Sequence, residues 1–481
     1  MFSRRLVVRR GSGFIAAILV VLLPQHAWAA TGLDGAAMRW SYALPFAGLL
    51  LSIALGPLLF ARFWHHHYGK IAAVWSLLAL ASLVILAGGM ATLAALVHAM
   101  LAEYLGFIVL LFSLYVVAGG ILVTGDIRAT PATNAGILAL GTVMASVVGT
   151  TGAAMILIRP LIRANRPRRY NAHVVIFFII LVANVGGALS PLGDPPLFVG
   201  FLHGVDFFWT TRNIWLQTAI VAGLLLAIFI VVDLWRFRSE PARGDPGPAA
   251  PVRIRGLVNL VLIAAIVASL LATAMWKPAV AFDILGTKVQ LEDIVRNLAL
   301  LAIAALSVWL TPDEHREANG FTWEPIREVA KLFAGIFVAI IPVIAMLNAG
   351  HDGAFAWLLS AVTGPDGAPR EVAYFWFTGL MSAFLDNAPT YLLFFELAGG
   401  DPQVLMGGLA GTLASISMGA VYMGALTYIG NAPNFMVSSI ATENGIAMPS
   451  FFGYLLRAGA VLIPLFMLLT LLPVAPILRW H

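Results

Sequence analysis

The chain has 481 residues, 60% of them hydrophobic and only 11% charged, less than half the charged share of a typical globular domain (about 25%). This composition describes an integral membrane protein of the helical kind, and the alternating ten-residue blocks of a membrane β-barrel are absent. There is no cysteine, which removes disulfides, thiolate metal sites and cysteine catalysis; the formal charge of +5 calls for no nucleic-acid partner, because its placement along the chain accounts for it.

The first 29 residues read as a secretory signal peptide. A basic stretch, MFSRRLVVRR, precedes the apolar FIAAILVVLL, and AWA before Ala30 offers a small-x-small cleavage site after Ala29. Apolar runs long enough to cross a bilayer follow at about 43–61, 71–89, 104–124, 172–203, 214–235, 257–276, 296–311, 328–349, 404–438 and 453–475. Two more apolar segments, about 131–162 and 371–400, are interrupted midway by polar, Gly or Pro residues. These read as re-entrant hairpins, since irregular backbone at that depth must be surrounded by protein or line a cavity. The expected fold is therefore an all-α membrane protein with about ten transmembrane helices plus two hairpins.

Threading the runs from an outside start places 17 Lys and Arg on the inner side and 7 on the outer, the other four lying in the basic leader. That bias fits a bacterial-type inner membrane with both mature termini outside. The Arg-, Pro- and Gly-rich stretch 236–256 reads as a flexible cytoplasmic linker between two halves, 30–235 and 257–481. HHH at 65–67 reads as a solvated juxtamembrane cluster, Glu103 and Asp126 as interfacial acids, and Glu328 with Lys331 as a helical i,i+3 ion pair.

The halves repeat. SVVGTTGAA (146–154) matches SAFLDNAPT (382–390) at an offset of 236, and GDPP (193–196) matches GNAP (430–433) at 237. Each half holds five crossings, an odd number, so the second is inverted relative to the first; inverted repeats with broken helices are a transporter architecture. Pro195, Pro196, Pro389 and Pro433 supply the helix breaks. The half-helix ends they create carry partial charges able to hold an ion or substrate. The candidate site gathers Thr150 and Thr151 from the first hairpin and Gly193 and Asp194 from the first break. From the second half come Asp386 and Asn387, then Gly430, Asn431 and Asn434. Asp194 and Asp386 are the two most deeply embedded acids, and a carboxylate at such depth must bind a cation or hold a proton. No nucleotide-binding loop and no enzymatic constellation occurs, so an ion gradient is the expected energy source.

SAFLDNAPT and NVGGALSPLGDPP resemble the motifs of the ion transporter superfamily, which holds NhaD-type sodium/proton antiporters, arsenite permeases, citrate carriers and divalent-anion/sodium symporters. The chain is most similar to the NhaD-type and citrate-transporter branches, over about 43–475. Carboxylate symporters carry Ser-Asn-Thr at both hairpin tips, where this chain has TTG and DNA. The resemblance implies a homodimer built from a fixed scaffold and a transport unit that moves as a block. The leading expectation is sodium (or lithium)/proton antiport by alternating access, Na⁺ and H⁺ exchanging at Asp194 and Asp386, without any other cofactor. The alternative is ion-coupled transport of citrate or another small organic anion, held by backbone N–H groups because no Lys or Arg lies at the tips. An arsenite-type oxyanion is the third choice.

Overall fold

A computed structural model describes residues 33–240 and 250–471. The signal-peptide segment, the middle of the linker and the last ten residues lie outside the described residues.

After a short 3₁₀ turn, α1 (Leu44–Leu59) and α2 (Ala61–Ala87) form a pair, and α3 (Gly89–Ala118) returns beside them. Hairpin 1 consists of α4 (Pro131–Val148) and α5 (Thr150–Asn165), packed on each other and joined by Gly149 alone. Its φ of +83° is a conformation glycine adopts without strain. The first broken helix is α6 (Ala172–Leu181), a 3₁₀ turn at Val185–Leu189, and α7 (Pro195–Leu202). α8 (Trp209–Arg238) closes the half. The second half repeats the order: α9 (Val258–Met275), α10 (Leu291–Leu310), the surface helix α11 (Asp313–Ala318) and α12 (Glu324–Asn348). Hairpin 2 is α13 (Glu371–Phe384) and α14 (Asn387–Leu397), the broken helix is α15 (Ala410–Met423) and α16 (Ala432–Glu443), and α17 (Phe451–Leu471) ends the fold.

Among the described residues ten helices are long and apolar enough to cross a membrane, so the chain is an all-α multi-pass membrane protein. The set differs in one place from the sequence reading: the first arm of hairpin 1 qualifies by length, whereas α15 is one of the shorter apolar helices. Burial separates centre from periphery. The stretch Ala172–Leu189 is 83% buried, while Arg62–Ala87 is only 17% buried and exposes Leu77, Leu78 and Leu86 on its outer face. The broken helices are therefore the core, which is what protects their irregular backbone.

Hydrogen bonds reveal the register of the repeat. Ser190 Oγ donates to Ser146 O, and Thr427 Oγ1 donates to Ala383 O; both pairs are related by an offset of 237. Gly187 and Gly193 approach so closely that a Cβ on Gly193 would lie 2.1 Å from Gly187 O, and their mates repeat this, a Gly430 Cβ meeting Gly424 O at 2.5 Å. Only glycine permits such contact. The offset of 236 at the hairpins is thus corrected to 237. Matching Ser146 with Ser382 follows side-chain type, but the backbone bonds pair Ser146 with Ala383, Gly149 with Asp386 and Thr150 with Asn387.

Three other expectations change. α3 begins at Gly89 rather than near 104, because a π-helical turn, Ala99–Tyr104, absorbs the polar His98–Glu103 stretch without breaking the helix. The linker is not flexible throughout: β2 (Arg253–Arg255) pairs antiparallel with β1 (Leu122–Thr124), clamping its end to the first half. A β-ribbon, β3 (Ala281–Ile284) with β4 (Thr287–Gln290), also precedes α10. Finally, Glu328 accepts from Trp64 Nε1 at 3.3 Å and Lys331 sits over the Tyr68 ring at 5.1 Å, so these residues fasten α12 to α2 rather than to each other.

The base of hairpin 1 is fixed by a buried polar knot. Asp233 of α8 takes the Arg168 guanidinium at 2.5 Å, His173 Nε2 at 2.8 Å and Asn134 Nδ2 at 3.0 Å, while Asn134 and Asn165 bridge the two arms. Three donors, one of them the Arg168 guanidinium, compensate the carboxylate, the condition under which a buried charge is tolerated.

Candidate functional site

Both hairpin tips and both helix breaks converge on one carboxylate. Asp194, 1% exposed, accepts from Thr150 Oγ1 and Asn431 Nδ2 at 2.9 Å each through Oδ1, and from Asn387 Nδ2 at 2.5 Å through Oδ2. Thr150, Asn387 and Asn431 are equally buried. Each donor comes from a different element, so the carboxylate ties hairpin 1, hairpin 2 and the second break to the first break. Thr150 N also donates to Gly193 O at 2.7 Å.

The amides at this carboxylate have a defined orientation. Asn431 Nδ2 reaches three acceptors, Asp194 Oδ1, Ala183 O and, at 3.4 Å, Asn184 Oδ1, and Asn387 Nδ2 faces Asp194 Oδ2. A flip of either amide would aim oxygen at oxygen. Their Oδ1 atoms are consequently left buried with no hydrogen-bond partner among the described residues. Two buried amide oxygens on residues hydrogen-bonded to a carboxylate thus keep free lone pairs, and oxygen is the ligand type that hard cations take.

A cavity of about 90 Å³ adjoins the carboxylate, room for several waters or a small solute. Thr150, Thr151, Gly152, Gly193, Asp194, Pro195, Asp386, Asn431 and Pro433 line one side; Leu110, Leu111, Leu114 and Tyr115 of α3 and Pro325, Ile326, Val329 and Phe333 of α12 line the other. None of the lining residues is Lys, Arg or His. Asp386 therefore shares the cavity with Asp194, but among the described residues it joins no side-chain bond there: as N-cap of α14 its Oδ1 accepts from Ala388 N at 3.2 Å.

Four helix N-termini, those of α5, α7, α14 and α16, point their positive dipole ends here. Three have few donors to spare. Pro195 and Pro196 lack N–H groups; α14 spends Ala388 N on Asp386 and follows it with Pro389; α16 has Pro433, and Asn434 N turns back to Asn431 O. α5 differs: its N-cap is Gly149, without a side-chain cap, and Thr151 and Gly152 in its first turn line the cavity. Their N–H groups are the open donors of the site.

Of the other residues expected at the site, Pro196 and Pro389 sit in first turns away from the cavity wall, and Gly430 packs against Gly424. Asn434 is structural: its Nδ2 donates to Gly424 O and Thr427 O at 2.8 and 2.9 Å, holding the second break open. Its Oδ1 accepts from Asn184 Nδ2 at 2.7 Å. Asn184, fully buried, joins the two breaks and was not among the expected site residues. An asparagine ending an otherwise apolar buried run was the available signal.

Paired broken helices and hairpin tips around a central polar pocket, in a chain of repeated halves, define a secondary transporter. The family described as "Putative citrate transport" matches residues 35–474, and the chain belongs to that family. No curated protein matches it.

Proposed function

We propose that this chain carries a small carboxylate anion of the citrate class across the membrane together with a coupling cation. The uncapped first turn of α5 carries the reading. Thr151 and Gly152 offer N–H donors to the cavity where the other three helix ends are occupied by proline or by their own caps. A helix N-terminus of this sort holds an anion without Lys or Arg. Asp194, hydrogen-bonded to Thr150 of the same turn, holds the cation with the free oxygens of Asn387 and Asn431, so the two charges offset each other in a poorly solvated pocket. Membership of the family supports the anion half of the reading. Alternating exposure of this pocket, with the hairpins and breaks shifting against α3 and α12, completes the cycle.

A second reading, cation/proton antiport, is favoured by one observation: two carboxylates, Asp194 and Asp386, line a cavity free of basic side chains. The two readings separate in proteoliposomes. Labelled citrate entering under an imposed Na⁺ or pH gradient is the expected result. If citrate stays out, while Na⁺ or Li⁺ alone collapses a pH gradient, the antiport reading replaces it.

A further inference from the structure

Beneath the cavity, on the side of the Arg-rich loops, α5 continues as a single stripe. Thr151, Met155 and Arg159 follow at i, i+4 and i+8, one above another on the helix face, which sets Arg159 about 12 Å below the cavity-lining turn. Met155 forms the floor with Tyr115 of α3 and Ile326 of α12, packed by Met436 and Phe321. Tyr115, Ile326 and Met436 also line the cavity, so this floor is about one side chain thick.

The Arg159 guanidinium stands just past it. It reaches Gly320 O, at 3.4 Å, in the turn before α12. Gly320 has φ +58° and a Cβ there would meet Arg159 Nη2 at 2.3 Å, so the close seat depends on glycine. No carboxylate among the described residues lies within ion-pair distance of Arg159; Glu443, at the end of α16, acts on it from beyond contact. A half-buried cation whose hydrogen bonding among the described residues is one long carbonyl contact has donors to give. The repeat sharpens the point. The mate of Arg159 at the offset of 237 is Glu396, on the second arm of hairpin 2, close enough to Glu103 to act on it electrostatically. Equivalent positions at opposite mouths thus carry opposite charge.

We propose that Arg159 is an anion-docking residue in the inner vestibule, taking the substrate carboxylate as it leaves the α5 N-terminus through the Tyr115–Met155–Ile326 floor. The inference rests on the anion reading above for its substrate, but the placement of charge is testable by itself.

Because the chain has no cysteine, Thr151→Cys provides a single reporter thiol in the cavity of the full-length reconstituted protein. Its rates of modification from the Arg-rich face by an anionic and a cationic methanethiosulfonate are compared. Arg159→Gln is expected to lower the anionic-to-cationic rate ratio at least tenfold, the order set by a unit charge acting across about 10 Å at an effective dielectric near 20. Arg159→Lys, which keeps the charge, is expected to stay within about twofold of the parent. An unchanged ratio in Arg159→Gln, an equal fall in Arg159→Lys, or a reporter thiol inert to both reagents each overturns the proposal. In parallel, Arg159→Gln in the cysteine-free chain is expected to raise the citrate KM from the inner face about tenfold and leave the outer-face KM in place; an equal rise from both faces overturns it too. Absence of any citrate transport in the parent, with the reagent ratio behaving as expected, removes only the choice of citrate.

Discussion

Replacing Gly152 tests the anion handle directly, because the repeat supplies its own template. The mate of Gly152 at the offset of 237 is Pro389, also the third residue of its helix. Proline is therefore compatible with this backbone: at that position the residue four back lies outside the helix, and no intrahelical bond is lost. Gly152→Pro deletes one N–H aimed at the cavity. Its confounding effect is bulk, since a Cβ on Gly152 would lie 3.1 Å from Ala118 Cβ and 3.5 Å from Val148 Cγ2. Gly152→Ala adds the same Cβ and keeps the N–H, so the pair differs only in the donor and the two ring carbons that replace it. A hydrogen bond to a charged acceptor is worth about 1.5–3 kcal/mol, and each 1.4 kcal/mol is tenfold in affinity. The proline variant should thus show a citrate KM about 10- to 100-fold above that of the alanine variant in proteoliposomes driven by the same ion gradient. Thermal melting in detergent should differ little between the two, as the deleted group has no protein partner among the described residues. Equal KM values for Gly152→Pro and Gly152→Ala would refute the role given to the α5 N-terminus, whatever both do relative to the parent.

Asp194→Asn keeps the shape of the site, with Asn387 able to turn its free oxygen toward the new amide. The loss of a unit charge at about 4 Å, near 4 kcal/mol at an effective dielectric of 20, should weaken the coupling cation about a thousandfold; cation-dependent stabilisation against heat that survives in this variant argues against the site. Gly193→Ala places a Cβ 2.1 Å from Gly187 O, a backbone clash expected to cost about 1–3 kcal/mol and to disrupt transport, measured by melting and uptake together. Asn434→Ala strands Gly424 O, Thr427 O and one N–H of Asn184 in a dry core, with an expected loss of about 2–4 kcal/mol or more from three lost bonds; a melting temperature equal to the parent's would show that these bonds do not hold the break. Asp233→Asn removes the nearer of the two carboxylates at the buried Arg168, leaving Glu240 at 3.8 Å, which should destabilise by up to about 3–5 kcal/mol, whereas Asp233→Asn with Arg168→Met should recover part of it.

Span number, the hairpins and the helix breaks were legible because each rests on a composition rule that depth in a bilayer makes strict: apolar length, and irregular backbone only where protein covers it. Asp194 was legible for the same reason, as a lone acid between two apolar runs. Asp386 was legible as a site residue, yet its side chain is spent on its own helix end, a distinction that depends on which way one rotamer points. The one-residue error in the hairpin register has a similar origin. Serine at 146 and at 382 look like partners, but the feature the two halves share is a hydroxyl-to-carbonyl bond, and a carbonyl belongs to every residue. The β1–β2 clamp was hidden because three-residue strands have no periodicity to read, and the π-turn in α3 because side chains alone do not report an added backbone residue per turn.

Comparing mates at the offset of 237 separates what the backbone requires from what the cargo requires. Gly187 with Gly424, Gly193 with Gly430 and Ser190 with Thr427 are alike in chemistry, and each locks a break by close approach or by a hydroxyl bond. Around the cavity the mates are unlike: Asp194 faces Asn431, Gly149 faces Asp386, Gly152 faces Pro389, and farther out Arg159 faces Glu396. A pocket built from two identical halves would present the same charge and the same donors from both. It could then hold two like ions, but it could not set an acceptor-rich flank for a cation against a donor-rich flank for an anion. In this chain the divergence runs one way. The first hairpin lacks the cap and the proline of its mate and has open N–H groups, while the second hairpin and the second break donate amide N–H groups to the carboxylate of the first break and keep their own amide oxygens unpartnered among the described residues. Since the backbone geometry is common to both halves, the difference in side chains is where the selectivity of the pocket must reside.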